Sequence, residues 1–149
     1  MVALVHDVRT DKPVAVHRTA ISGLADGEDK RRSLGPMRGG AVKLTPHAHV
    51  TLAVGVGEGI ETTLSFRNVA DSGPSPIWAL ISAGGIAEFP VLAGIETVWI
   101  AVDHDPAGIA ASRLCAARWC AAGGEAVLIR PRRASTDLND LLPREAAHG

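Results

Sequence analysis

"TVWIAVDHDPAG", residues 97–108, decides how this chain is read. A short apolar, β-branched run stops at two aspartates one residue apart, and a proline and a glycine follow. Such a run matches a strand buried on both faces. Pro106 suits the first position of a helix, where its missing N–H costs nothing. The segment after it runs to Gly123–Gly124, which end the helix. Residues two apart on an extended chain point the same way, so Asp103 and Asp105 converge while His104 points elsewhere. Two carboxylates held together repel, and a cation relieves that; Mg²⁺ prefers oxygen and takes few ligands from protein. Asp105 alone has a second reading, as the cap of the following helix. A calcium loop is excluded, because its twelfth position would be Leu114 where a bidentate Glu is required.

Working outward, the same alternation repeats from residue 48. "VTLAVGV" (50–56), "PIWALIS" (76–82) and "EAVLIRP" (125–131) read as further strands. "GIETTLSFRNVA" (59–70) reads as a helix, "AGGIAEFPVLAG" (83–94) as a loop with a helical turn, and "TDLNDLLPREA" (136–146) as a short last helix. Continuous apolar strands alternating with helices predict an α/β fold: a mainly parallel four-stranded sheet with helices on both faces. Before it, "VALVHDV" (2–8) and "PVAVHRTAI" (13–21) flank the turn signal "TDKP" and predict a hairpin. "GLADGEDKRRSLGPMRGG" (23–40) reads as a long loop and "AVKL" (41–44) as a third short strand. We therefore expect a small antiparallel β appendage with its loop over 1–46, and an α/β domain over 47–149.

Ligands of parallel α/β sheets bind beyond the carboxyl ends of the strands, and other acids fall at such places. Glu58 follows the strand of 50–56 between Gly57 and Gly59, which allow a tight turn and close approach of a phosphate or metal. Glu61 lies in the first helical turn, where the helix dipole favours negative charge whatever its role. Asp137 and Asp140 share one helical face, as a solvated helix start also would. Basic residues cluster at Lys30, Arg31 and Arg32 with Arg38, and at Arg130, Arg132 and Arg133; either cluster can serve nucleic-acid or nucleotide phosphate, or be solvated. His47 and His49 are spaced to share a strand face, without an evident third metal ligand.

The totals narrow the class. Hydrophobic residues make up 46% of the 149, enough for a core. That core is aliphatic, for there are only two Phe, three Trp and no Tyr. The net charge of −1 gives no global basic field, so DNA binding by the chain alone should be weak and salt-dependent. Cys115 and Cys120 are five apart in one expected helix, on different faces, which suggests neither a disulfide nor a zinc site. No apolar run approaches the ~18–20 residues of a membrane span, and "MVALVHDVRTD" lacks the segments of a signal peptide; a cytoplasmic setting is expected.

Together, "GEGIET" after one strand, "DHDPAG" after a later one and a final "DLND" resemble the Toprim domain of primases, topoisomerases and some nucleases, over about residues 48–143. "VAVHRT", "LGPMRGGAVKL" and "EGIETTLS" look most like primase-type Toprim proteins of plasmids, phages and primase–helicases. The resemblance implies a compact, Rossmann-like fold. It assigns Glu58 as acid/base or metal-binding residue, Asp103 and Asp105 as metal ligands, and Asp137 as first acid of a motif holding a second metal; Glu58, Asp103 and Asp105 would be the catalytic set. "SAGG", residues 82–85, matches the small-residue loop between the acidic motifs. Asn139 stands where that last motif has a second acid, a neutral and weaker ligand. Mg²⁺ or Mn²⁺ is the implied cofactor. A single-stranded DNA template and nucleoside triphosphates are the implied partners, with a zinc-binding module and a helicase in this or another chain. A DNA primase core making RNA primers in replication leads. A Toprim nuclease uses the same acids with water as nucleophile, and a catalytically silent nucleic-acid-binding module is the third reading. Strand passage would need a Tyr from another chain.

Overall fold

The computed structural model describes residues 1–20, 31–69 and 76–130. Among these, the elements in chain order are strands β1 (Val2–Asp7), β2 (Pro13–Thr19), β3 (Arg31–Leu34), β4 (Gly40–Lys43) and β5 (Ala53–Gly57), helix α1 (Ile60–Val69), strand β6 (Ile77–Ala79), helix α2 (Ala83–Glu88), strand β7 (Thr97–Ala101), helix α3 (Pro106–Ala121) and strand β8 (Glu125–Ile129). They form one eight-stranded sheet in the order β3-β2-β1-β4-β6-β5-β7-β8.

The expected parallel unit is β6-β5-β7-β8, all neighbours parallel. The N-terminal strands are antiparallel, also as expected. They are joined to the parallel unit edge to edge, through the antiparallel pairing of β4 with β6. One local expectation changes, and the helical turn expected after residue 82 is extended. Residues 31–34, read as loop, form β3, because pairing to β2 supplies backbone hydrogen bonds that its exposed sequence does not advertise. Residues 83–88 form the helix α2, capped by the Ser82 hydroxyl accepting from Gly85 N–H at 3.0 Å.

Side-chain alternation divides the core into two layers. Val54, Val56, Trp78, Val98 and Ile100 are buried with Ile86 of α2 and Ala111, Cys115 and Trp119 of α3. Phe66 of α1 packs instead with Ala101, so α1 covers the opposite face. Burial pushes the Cys115 thiol up to about 11, as expected of an apolar core site. A third cluster joins Val5, Ala15 and Val42 of the N-terminal strands to Ile60 and Ala79. Among the described residues no helix is long and apolar enough to cross a membrane.

The order of connections positions the site. The chain leaves β5 through α1 to β6 on one side, then crosses by α2 to β7 on the other. The helices after β5 and β7 thus lie on opposite faces, and a crevice opens between the carboxyl ends of these two adjacent strands.

Candidate active site

Glu58 is the first residue past β5, and Asp103 stands two past β7. Val56 pairs with Ile100, so Glu58 stands level with Val102 and Asp103 follows one residue beyond, on either side of the crevice. Burial raises the Glu58 carboxyl above its ordinary value; the negative charges of Asp103 and then Asp105 raise it further. Both aspartates are therefore within electrostatic reach of Glu58.

The backbone works in the opposite direction. The Ala83 N–H donates a hydrogen bond towards the Glu58 carboxylate and favours its charged form. Several features put that donor there. Leu80 N–H donates to Gly57 carbonyl and Ile81 N–H to Glu58 carbonyl, each at 2.8 Å. Ile81 adopts φ 68°, a left-handed conformation that a β-branched residue rarely takes, and this turns the chain into α2. A Cβ on Gly85 would stand 2.2 Å from the Leu80 carbonyl oxygen, so only glycine lets α2 close on this loop.

Asp105 is the N-cap of α3, accepting from Gly108 N–H at 2.7 Å. The capping reading is thus correct for one oxygen, and the residue still acts on Glu58 through its charge. Gly108 matters for the same closeness: a Cβ there would lie 3.0 Å from Asp103 Cβ and carbonyl oxygen.

Positive charge reaches the site from the N-terminal strands. Arg31 on β3 lowers the Glu58 carboxyl by its charge, and its guanidinium lies 4.0 Å from the Glu61 carboxylate. His17 on β2 lines the same narrow cleft, with Nδ1 3.0 Å from Ser33 Oγ. Burial, then the Arg31 charge, lowers its ring below the ordinary histidine value. Arg32 is exposed on β3, and exposed Arg130 follows β8, whose Ile129 carbonyl accepts from Val102 N–H at 2.8 Å. Arg38 goes elsewhere, as a bidentate partner of Glu88 at 2.8 and 2.9 Å. His47 and His49 sit in a short 3-10 turn, not on a strand face. Lys30, Arg132, Arg133, Asp137, Asn139 and Asp140 lie outside the described residues.

Among the described residues, no three His, Cys, Asp or Glu side chains gather tightly enough to enclose a metal. The donor set nevertheless fits a hard divalent cation. Its ligands are carboxylate oxygens that repel one another, and Mg²⁺ keeps several waters while taking one or two carboxylates from protein.

The Toprim domain family model matches residues 53–148. The chain belongs to the Toprim domain family. Curated proteins and solved structures gave no match. Toprim domains serve metal-dependent nucleic-acid processing in primases, nucleases, topoisomerases and recombination repair, and bind Mg²⁺ through acidic residues. The match starts at β5, so the strand pairing that brings Arg31 and His17 to the Toprim edge lies before it. Sequence reading missed His17, Ile81 and the Ala83 N–H. The first is masked by a strand pattern, and the others act through the backbone.

Proposed function

We propose that this chain is a primase-type nucleotidyltransferase core, joining nucleotides on a single-stranded DNA template with Mg²⁺ or Mn²⁺. The observation that carries the reading is Glu58, half-buried, facing Asp103 and Asp105 across the crevice between β5 and β7. A bound divalent cation would supply positive charge for the phosphoryl oxygens and the leaving pyrophosphate. Asp103 and Asp105 would hold it, with Asp137 as a further ligand. Glu58 takes the proton of the attacking 3′-hydroxyl; burial and like charge make its carboxylate more basic, which suits a general base. The Ala83 N–H keeps that carboxylate oriented. Arg31 and Arg130 offer guanidinium groups to phosphates of template or nucleotide, with Lys30, Arg32, Arg132 and Arg133 as further contacts. A zinc-binding module and a helicase, in this or another chain, complete the system.

The test is incubation of the chain with single-stranded DNA, labelled nucleoside triphosphates and Mg²⁺ or Mn²⁺. Products longer than one nucleotide, lost in Glu58→Gln and in Asp103→Asn, are expected. Shortened DNA would replace the polymerising reading by a nuclease one, with water as the nucleophile.

A further inference from the structure

Two adjoining cavities lie at the opposite edge of the sheet, by the amino ends of the parallel strands. One, of about 340 Å³, has Val8, Val50, Leu92, Ala93 and Ile95 in its walls, together with His47, Thr51 and Arg9. The His47 and Trp78 rings stack at 5.5 Å, 17° from parallel. Lys43 Nζ contacts His47 Nδ1 at 2.9 Å and the Asp11 carboxylate at 2.8 Å. The second cavity, of about 590 Å³, holds Arg9, Arg38 and Arg118 with Asp7 and Glu88. Val8 and Arg9 line both.

These compartments demand different chemistry of one ligand. The first accepts a flat ring between the Val8, Val50, Leu92 and Ile95 side chains and the His47 ring, whose inner face is stacked on the buried Trp78. The second sets three guanidinium groups against two carboxylates, an excess of positive charge. Both carboxylates are engaged. Glu88 binds Arg38 at 2.8 and 2.9 Å. Asp7 Oδ1 accepts from Arg9 N–H, Thr10 N–H and Thr10 Oγ1 at 2.7–2.9 Å. Arg118 spends one N–H on the Phe89 carbonyl at 3.0 Å, and a guanidinium has five. We infer that these two cavities form one nucleotide-binding site, base in the apolar compartment and phosphates among the arginines, separate from the acidic edge. Metal-free phosphate chains are repelled by Glu58, Asp103 and Asp105, whereas here the guanidinium groups outnumber the carboxylates.

The test is calorimetric titration of the full chain with ATP in the presence of EDTA, so that metal-bridged binding at the acids is silenced. One ATP should bind per chain, with Asp103→Asn unchanged. Arg9→Ala, which removes the charge shared by both compartments, should weaken binding by about tenfold or more. Ala93→Trp, at an exposed wall position, should block it, and Thr51→Trp serves if that variant fails to fold. Adenosine alone and tripolyphosphate alone should each bind more weakly than ATP. No heat at about 1 mM ATP, or binding lost in Asp103→Asn and kept in both tryptophan variants, would overturn the inference. Because the readout is metal-free binding, it stands or falls independently of any polymerising activity.

Discussion

At Glu58 a half-buried carboxylate faces two others, and its folded-state pKa lies above the ordinary value of 4.5. Between those two pKa values the folded chain holds more protons than the unfolded one, so stability falls as pH rises through that window. The destabilisation is absent below the unfolded value and complete above the folded one. Glu58→Gln should therefore melt higher than wild type near neutral pH in EDTA, and the gap should close towards pH 4. Each kcal/mol corresponds to about 2–4 °C in a chain of this size. Melts across that range check it; a gap independent of pH would mean the carboxylate is not under this repulsion.

At the scale of elements, α2 and its loop hold the Glu58 donor in place, and two adjacent glycines there differ sharply. A Cβ on Gly85 meets the Leu80 carbonyl oxygen at 2.2 Å, whereas one on Gly84 meets only Ser82 Oγ, at 3.7 Å. Gly85→Ala should cost roughly 1–3 kcal/mol, since backbone must move, and should lower activity by shifting the Ala83 N–H. Gly84→Ala should be neutral, or stabilising by about 0.5–1 kcal/mol through helix propensity. Denaturant unfolding of both variants tests this, and equal effects would contradict the packing described. Only a helical turn within a loop was legible here, because these glycines hide the full extent of the helix "AGGIAE". It stands on packing of Ile86 and Phe89 and on the Ser82 cap.

At the scale of the molecule, the N-terminal strands and the Toprim edge share one sheet and one apolar cluster. Thr45 adds an Oγ1 acceptor for Ile77 N–H at 3.3 Å and a carbonyl for Trp78 Nε1 at 3.1 Å. Removing residues 1–46 strips the edge of β6 and uncovers Ile60 and Ala79, so the 47–149 fragment should fail to melt cooperatively. A fragment melting like the full chain would show that the strands are dispensable. Metal should act on the whole fold by mass action. Mg²⁺ or Mn²⁺ at a hundredfold excess over its dissociation constant should stabilise the wild type by ~2.7 kcal/mol and Asp103→Asn far less. Thermal melts with and without metal decide this, and equal shifts would make the aspartates structural.

Local pattern alone determined the parallel strands, the helix beginning at Pro106 and the acids at strand ends, because burial on both faces and capping write themselves into adjacent residues. It did not determine which strands are neighbours. That β5 lies between β6 and β7, setting Glu58 beside the end of β7 and its aspartates, follows from crossovers whose pairings are distant in the chain. Nor did it show β3, whose exposed "RRSL" is a strand only because β2 offers a ladder. Only the tertiary structure brought Arg31 and His17 to the acids and aimed the Ala83 N–H at Glu58. Charge fields and backbone donors act through space, and residue order records them only after the chain has folded.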